Sequence, residues 1–355
     1  MSYTYAAPIP RGDGWPIATL DDVGIDSAKI QSWIAQIVGA DARSIESPFL
    51  QAILIARHGK LVLEEYFHGY QADRVHDVRS AGKSLTATLL GAALRLDPTL
   101  SVRRRVVDFF PQYEPLANDG PQKRAMTVEN LLTMKSGLAA DDDDDQSPGN
   151  ENRLDQQRDR FKFALDLPMA GTPGVTAAYS AATINLVGPV VEHSSGMWLP
   201  EFIYAHFARP LDIEHYHVPI GSNSDAYMAG GMLMRPRDFM KLGQLYLSGG
   251  TWRGRRVVDP SWVQAATKAH SRMGPGEYGY GWWLRDVLVG SRSYRTYRAA
   301  GNGGQLVIVV PDLDLVVAFM GANYNQGPVW WPWNDALVPE VIIPAISRSS
   351  SAGRE

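Results

Sequence analysis

The sequence predicts an α+β fold in which an antiparallel sheet is flanked by helices and carries an inserted, mostly helical domain. Two observations support this prediction. Strand-like runs with many β-branched residues occur near both ends of the chain, whereas helical patterns dominate from residue 80 to about residue 224. The simplest architecture builds one sheet from the two ends and covers it with helices, so that the helical middle forms a second domain.

The N-terminal part of the chain predicts one helix and one hairpin. Residues 1 to about 22 are rich in proline and glycine, which indicates irregular structure. Asp26–Val38 predicts an amphipathic helix because its apolar residues recur at helical spacing. Two β-rich runs follow, Ala52–Arg57 and Leu61–Phe67, and the turn residues His58-Gly59-Lys60 between them predict a hairpin.

The middle of the chain predicts helices separated by long loops. The run Ser84–Leu96 is rich in alanine and leucine and stops at Asp97-Pro98, as expected of a buried helix. The other predicted helices are a short one capped by Thr127 and ending at Leu132, then Asp155–Leu165, Ile184–His193 and Trp198–Phe207. The acidic run Asp141–Asp145 lacks the spacing and the glycine of an EF-hand calcium loop, so we expect a solvated loop there.

The C-terminal part returns to strands. Helices are predicted to begin at Pro236 and at Asp259-Pro260. The strand-like runs that follow are Tyr278–Leu284, Tyr294–Ala300, Leu306–Val310 and Leu315–Met320. A closing helix is predicted over Asp335–Ile346, and Ser347–Glu355 is expected to be a frayed tail.

These patterns divide the chain into two domains. Residues 1–80 and 225–355 are predicted to form the sheet domain, and residues 81–224 are predicted to form the mostly helical domain. A cleft between two domains is the natural place for a binding site, so we expect the active site there.

The composition excludes several classes of function. The 355 residues are 45% hydrophobic and 20% charged, as in an ordinary globular protein, and the net charge of −4 favours neither nucleic acid nor an anionic membrane as a partner. The absence of cysteine excludes disulfides, thiol catalysis and cysteine-based metal sites. The N-terminus lacks the apolar core of a secretion signal and no stretch approaches a membrane span, so we expect a cytoplasmic protein.

The tetrapeptide Ser80-Ala81-Gly82-Lys83 offers a nucleophile and a base. Residues three apart on a helix share a face, so the Lys83 amine can lie beside the Ser80 hydroxyl. A serine hydroxyl becomes a good nucleophile only when a base takes its proton, and a lysine is a base only when burial or a cationic neighbour lowers its pKa. The apolar run after Lys83 makes burial plausible, and the helix N-terminus favours a developing oxyanion.

Two further motifs follow in the chain. Tyr179-Ser180-Ala181 ends a loop rich in glycine, proline and alanine, just before a predicted helix. Gly301-Asn302-Gly303-Gly304-Gln305 begins a strand-like run, and its glycines would let a substrate approach the backbone. This glycine-rich segment is not a Walker loop, so a phosphate cradle is not expected and no cofactor is predicted.

The order S-x-x-K, then Y-S-x, then a glycine-rich strand motif resembles the serine β-lactamase and penicillin-binding-protein superfamily. The chain looks like its class C β-lactamase branch, which also holds D-amino-acid peptidases, carboxylesterases, acyltransferases and 6-aminohexanoate-oligomer hydrolases. The resemblance covers about Gly24 to Ile346. Supporting segments are Met126–Leu138, Ala229–Gly231, Pro236–Asp238, Leu247–Trp252 and Tyr278–Trp283.

The resemblance implies a β-lactamase-like fold and a serine hydrolase that works through an acyl-enzyme, without a cofactor or a metal. Ser80 would be the acylated nucleophile, Lys83 its base, and Tyr179 the residue that relays a proton to the leaving group. The resemblance places the oxyanion hole at the backbone N–H groups of Ser80 and Gln305. It places the substrate beside the triplet Asn302, Gly303 and Gly304.

Two positions depart from the family pattern. Ala181 stands where the family usually has asparagine, and Asn302 stands where it usually has lysine or histidine. A grip on the acyl-side amide and an attraction for a substrate carboxylate are therefore lost, which favours small carboxylic esters or linear amides as substrates. Open alternatives are an acyltransferase with the same acyl-enzyme, a β-lactamase or D-aminopeptidase, and a catalytically silent binding protein on the same fold.

Other residues give weaker signals. The G-x-S-x-G elbow of α/β-hydrolases and the H-E-x-x-H zinc motif are absent. The segment His215-Tyr216-His217 could supply two metal ligands, but nothing near it completes a set, so no metal site is predicted. Trp330, Trp331 and Trp333 are expected to pack the last helix on the sheet, and at most one of Trp282 and Trp283 can face the cleft.

Overall fold

A large antiparallel sheet organises the fold, and strands from both ends of the chain build it. The computed structural model describes residues 3–41, 43–44, 47–274 and 276–346. The strands in these residues are β1 (Leu50–Arg57), β2 (Lys60–Tyr66), β3 (His76–Asp77), β4 (Tyr216–His217), β5 (Leu233–Met234), β6 (Thr251–Trp252), β7 (Arg255–Arg256), β8 (Ser271–Met273), β9 (Gly276–Tyr278), β10 (Trp283–Val289), β11 (Arg292–Gly301), β12 (Gln305–Val310) and β13 (Leu315–Gly321). Eight of them form the large sheet, in the order β2-β1-β13-β12-β11-β10-β9-β8. The predicted α+β fold class is confirmed.

The sheet is buried on both faces. Along β1, Ala52, Leu54 and Ala56 belong to one apolar core, whereas Ile53 and Ile55 belong to another. Successive side chains of a strand point to opposite faces, so a strand between two helical layers needs a continuous apolar run. The β1 sequence meets that need, and it pairs on one side with β2 and on the other with β13.

Helices cover the sheet and fill the middle of the chain. They are α1 (Ser27–Gly39), α2 (Gly82–Leu96), α3 (Pro121–Ala125), α4 (Val128–Leu132), α5 (Glu151–Leu154), α6 (Arg160–Asp166), α7 (Ala181–Asn185), α8 (Val187–Ser195), α9 (Leu199–Ile203), α10 (Pro236–Leu247), α11 (Pro260–Ala266), α12 (Gly327–Leu337) and α13 (Ile343–Ala345). The terminal helices α1 and α12 pack on one face of the sheet, and α10 packs on the other together with α2. None of the described helices is long and apolar enough to cross a bilayer.

The helical middle differs from the prediction at two breaks. The prediction of a single helix over Asp155–Leu165 is wrong, because α5 ends before this run and α6 begins within it. The Asp159 carboxylate accepts the Lys162 N–H at 2.9 Å and caps α6. A side chain that caps a helix competes with continuing the preceding one, which explains the break. The run Ile184–His193 likewise spans α7 and α8.

The strand predicted over Tyr278–Leu284 is interrupted. β9 ends at Tyr278 and β10 begins at Trp283, because the Gly279 N–H donates to the Trp282 carbonyl at 2.8 Å and closes a turn. Gly281 has a φ of 75° inside this turn, a conformation that glycine adopts readily. Trp282 lies in this turn and is fully buried, whereas Trp283 starts β10 and is partly exposed. That at most one of the two faces the cleft stays a prediction.

The closing helix begins earlier than predicted. α12 starts at Gly327 rather than at residue 335, although Pro332 lies inside it. Trp333 stacks on Trp33 of α1 at 6.2 Å and meets Phe319 of β13 edge-on at 5.7 Å. This packing outweighs the hydrogen bond lost at the proline, and it confirms for Trp333 that the tryptophans join the last helix to the sheet. The tail 347–355 lies outside the described residues.

The domain boundaries predicted at residues 80/81 and 224/225 stay a prediction. The large sheet takes its strands from residues 50–66 and 271–321, and the residues between them are mostly helical.

Candidate active site

Ser80 lies in a tight turn at the start of a buried helix. The 3₁₀ turn Arg79–Ala81 runs directly into α2. Arg79 has a φ of 50°, in the left-handed region that disfavours residues other than glycine. The Asp77 carboxylate accepts the Arg79 N–H at 2.7 Å and thereby stabilises this conformation. Asp77 therefore holds the turn that presents Ser80, a role that the sequence motif does not reveal.

Two glycines let distant segments pack against this turn. A Cβ on Gly301, the last residue of β11, would lie 2.3 Å from the Val78 carbonyl oxygen. A Cβ on Gly230 would lie 2.9 Å from the Arg79 carbonyl oxygen. These contacts are too close for any side chain, so only glycine allows the end of the sheet and the 229–231 segment to reach the backbone beside Ser80.

Lys83 brings a buried amine to the Ser80 hydroxyl. The Lys83 Nζ donates to Ser80 Oγ at 3.0 Å and to the Ala229 carbonyl at 2.8 Å. The Lys83 side chain projects from the first turn of α2 and the residue is 1% exposed. Burial lowers the pKa of Lys83, while the carboxylates of Glu151 and Asp142 oppose that shift. The arrangement can supply a neutral amine next to a nucleophile.

The Tyr179 ring packs directly against this pair. The Lys83 Nζ lies 4.7 Å from the ring centroid, and the rings of Trp283 and Tyr278 lie 5.7 and 6.2 Å away. Burial raises the pKa of the Tyr179 phenol, and a hydrogen bond with the Ser80 hydroxyl lowers it. The net shift is upward, so Tyr179 carries its proton at neutral pH and can donate it.

The rest of the Tyr179-Ser180-Ala181 motif forms the start of α7. The Ser180 side chain accepts the Thr183 N–H at 3.1 Å and caps the helix. Ala181 is fully buried at the first helical position. Tyr179 therefore stands just before a fixed helix end, which limits the freedom of its backbone.

The segment 302–305 forms the turn between β11 and β12. The Asn302 side chain is partly exposed; it donates to Asn325 Oδ1 at 2.6 Å and accepts the Asn325 N–H at 2.8 Å. Gly303 and Gly304 are buried, with φ values of 90° and 93°. Gln305 is fully buried, and its side-chain amide donates to the β13 backbone. The substrate-binding roles of these residues and the oxyanion role of the Gln305 N–H stay predictions.

Asp142 corrects the prediction that the acidic run is wholly solvated. Asp143, Asp144 and Asp145 are exposed, but the Asp142 carboxylate points inward and accepts the Ala181 N–H at 2.6 Å. Burial raises the pKa of Asp142 to about 7, although the Lys83 charge opposes this shift. Nothing in a run of five aspartates distinguishes one of them, because the contact depends on a segment 39 residues further along the chain.

A metal site does not emerge from the described ranges. Within residues 3–41, 43–44, 47–274 and 276–346, no three side chains of the ligating types converge as a metal ion would require. The site just described consists of hydroxyl, amine and carboxylate groups and the backbone.

A family profile and a named relative both match most of the chain. A sequence profile described as Beta-lactamase matches residues 42–328. The 6-aminohexanoate-dimer hydrolase of Paenarthrobacter ureafaciens is 25% identical over 299 residues, which cover 77% of this chain and 72% of that enzyme.

Two solved structures share the fold. EstCE1, described as a hydrolase with promiscuous acyltransferase activity, has a TM-score of 0.67 at 14% identity and covers 90% of this chain and 99% of its own. A family VIII carboxylesterase has a TM-score of 0.64 at 15% identity and covers 85% of this chain and 94% of its own. Since the family profile also spans most of the chain, this protein belongs to the beta-lactamase family of hydrolases.

Proposed function

We propose that the protein is a serine hydrolase that acts through an acyl-enzyme on small carboxylic esters or linear amides. One observation carries the proposal: the buried Lys83 Nζ lies 3.0 Å from Ser80 Oγ. A serine hydroxyl becomes nucleophilic when an adjacent base takes its proton, and burial is the usual way to make a lysine that base.

In the first half of the reaction, Ser80 Oγ attacks the substrate carbonyl and Lys83 takes the hydroxyl proton. The tetrahedral intermediate carries its negative charge on the former carbonyl oxygen, which the N–H groups of Ser80 and Gln305 would bind. When the intermediate collapses, the bond to the leaving alcohol or amine breaks. Tyr179 donates a proton to that leaving group and regains one from Lys83.

In the second half, water attacks the acyl-enzyme. The same groups act in reverse: one proton of the water passes to the Lys83–Tyr179 pair, and the bond between Ser80 Oγ and the acyl carbon breaks. Ser80 regains its proton and the carboxylic acid leaves. No cofactor or metal is needed for either half.

The proposed substrate class is supported by two departures from the family's sequence pattern and by the names of similar proteins. Ala181 and Asn302 lack the amide grip and the positive charge that the family pattern usually offers, which favours neutral acyl compounds. The named relatives include an amide hydrolase, the 6-aminohexanoate-dimer hydrolase, and a carboxylesterase. The expected partner is a small ester or amide.

An acyltransferase is the second candidate, because EstCE1 is described as having promiscuous acyltransferase activity on the same fold. The acyl-enzyme is common to both reactions, and only the second nucleophile differs. Product analysis with a competing alcohol or amine separates them: acyl transfer yields the new ester or amide, whereas hydrolysis yields the free acid.

A labelling experiment tests the proposal. The protein is treated with a fluorophosphonate, and the adduct is located by peptide mass spectrometry. Turnover is measured on p-nitrophenyl esters of graded length, nitrocefin and a 6-aminohexanoate dimer. We expect the adduct on Ser80 and its loss in Ser80→Ala, while Ser222→Ala, which changes an exposed serine, keeps it.

The alternatives give different outcomes. An unlabelled, inactive protein contradicts the proposal and supports a silent binding protein. Fastest turnover of nitrocefin contradicts the substrate class and supports a β-lactamase.

A further inference from the structure

The Asp142 carboxylate joins two helix starts beside the active site. Its Oδ2 accepts the N–H of Ala181, the first residue of α7, at 2.6 Å, and its Oδ1 accepts the N–H of Glu151, the first residue of α5, at 2.9 Å. The first N–H groups of a helix have no partner within the helix, so an anion there satisfies them. The Asp142 N–H also donates to the Tyr179 carbonyl at 2.8 Å.

The loop that carries Asp142 is held from behind. Asn150 is 2% exposed, and its side-chain amide contacts the carbonyls of Asp141, Asp142 and Asp144 at 3.2–3.3 Å. The Asp141 N–H donates to Ser147 Oγ at 2.9 Å. The carboxylate therefore projects from a fixed base, and it can transmit that position to the residues it binds.

We propose that Asp142 is the positioning residue for Tyr179, holding the Tyr179 backbone and the start of α7 so that the phenol stays against Ser80 and Lys83. The inference rests on the proposed function, because positioning has meaning only if Tyr179 moves a proton. Asp142 itself does not touch the reacting atoms.

Among side chains as short as that of aspartate, only a carboxylate can accept hydrogen bonds from both of these N–H groups. Two N–H groups approach two different oxygens, and above about pH 7, where Asp142 is ionised, both of its oxygens can accept these hydrogen bonds. The isosteric asparagine offers one accepting oxygen and an NH₂ that would face an N–H donor. Asp142→Asn therefore breaks one arm of the bridge with almost no change of volume.

Asp142 also acts on Lys83 through its charge. An anion nearby stabilises the Lys83 ammonium, so removing it favours the neutral amine. The charged or titratable groups around these two residues are Lys83, Glu151, Arg79, Tyr179, Asp143 and Tyr227. Asp143 lies in the same loop and is exposed, and it is a matched control because it carries the same charge without the bridge.

The experiment compares Asp142→Asn with Asp143→Asn in the full chain. Both are assayed on the best p-nitrophenyl ester for kcat and KM across pH, with thermal unfolding as the check on folding. We expect Asp142→Asn to lower kcat by about ten- to hundredfold with little change in KM, since a small misplacement of a catalytic group costs that much. We also expect the acid limb of its pH profile to move to lower pH.

Asp143→Asn should keep the kcat and the acid limb of the natural protein. A folded Asp142→Asn with unchanged kcat overturns the inference, and so does an equal loss in Asp143→Asn. If Asp142→Asn does not fold, Asp142→Glu replaces it: the charge is kept but the oxygens are displaced. That variant should lose kcat with an unmoved acid limb, and full activity in it overturns the inference.

Failure of the proposed function would look different. If the natural protein is inactive and forms no Ser80 adduct, both the proposed function and the positioning role are overturned. If the natural protein is active and Asp142→Asn has an unchanged kcat, only the positioning role is overturned.

Discussion

The Lys83 Nζ lies 3.0 Å from Ser80 Oγ in a place that solvent hardly reaches, since Lys83 is 1% exposed. Its second hydrogen bond, to the Ala229 carbonyl, comes from a segment far along the chain. Hydrogen bonds to Ser80 Oγ and to the Ala229 carbonyl therefore hold the amine in place, while burial disfavours its charged form. This relationship underlies the first two predictions.

Lys83 and Tyr179 should behave as one proton network. Lys83→Ala and Tyr179→Phe should each lower kcat by about three orders of magnitude, and the double variant should lose little more, because groups that act as a unit do not add. Steady-state kinetics on one ester for the four proteins measures this. Fully additive losses would mean that the two residues act independently.

The activity should follow the ionisation of a buried lysine. Burial lowers the pKa of Lys83 below the ordinary 10.5, so kcat/KM should rise with pH along a limb whose midpoint lies below that value. The check is a pH–rate profile of the natural protein. Lys83→Arg, which cannot supply a neutral base, should be inactive at every pH; a midpoint at 10.5 or above would speak against the role of Lys83.

Gly301 should be intolerant of any side chain. A Cβ there would lie 2.3 Å from the Val78 carbonyl oxygen, so Gly301→Ala must displace the turn that carries Ser80. We expect kcat to fall by about a hundredfold or more. Gly39→Ala is the matched control, because a Cβ at Gly39 meets nothing within 4 Å. The rate at which a fluorophosphonate labels Ser80 is measured for both variants, and it should be lower for Gly301→Ala than for Gly39→Ala. Equal labelling rates would refute the prediction.

Asp142 should make stability depend on pH. Burial raises the pKa of Asp142 to about 7 from an ordinary 3.8, so the folded protein binds a proton that the unfolded chain has released. This stabilisation is fully present below about pH 4 and is lost as pH rises through about 7. The Tm of Asp142→Asn relative to the natural protein should therefore increase from about pH 4.5 to about pH 8.

Thermal melts at several pH values measure that difference. Ser80→Ala, which removes no carboxylate, is the control and should differ from the natural protein by a constant amount. A constant difference for Asp142→Asn as well would contradict the pKa assigned to Asp142.

A neutral short-chain ester should be a better substrate than nitrocefin. Asn302 is uncharged and its amide is engaged with Asn325, and the nearby strand's Arg298 forms an ion pair with Asp335 at 2.6 Å. Both side chains therefore already have partners that compete with a substrate carboxylate. The kcat/KM values for the two substrates test this, and a preference for nitrocefin would require a different anchor for its carboxylate.

Local patterns predicted much of the fold. The runs that became β12 and β13 are apolar and β-branched, and the helices that start at Pro236 and Pro260 begin with a proline, a residue that favours the first position of a helix. Two of the misplaced boundaries share one cause. The Asp159 cap and the Gly279–Trp282 turn each interrupt the helix or strand that the surrounding sequence favours. The periodicity of apolar residues does not reveal such interruptions.

The candidate site likewise has one part that the sequence predicted and another that only the structure shows. Spacing alone indicated that Ser80 and Lys83 share a face, because a helical turn sets that relationship. The inward turn of Asp142, the Asp77 contact that holds Arg79, and the close approach of Gly301 depend on segments that meet only in three dimensions.

By itself the sequence determined the fold class, the order of the motifs and the pairing of Ser80 with Lys83, because each depends on residues a few positions apart or on patterns within one segment. Only the tertiary structure decided which carboxylate of the acidic run turns inward, how the Ser80 turn is held and that Lys83 is buried completely enough to lower its pKa. The physical reason is that burial and close contact arise when distant segments exclude water together, and no local pattern encodes that exclusion.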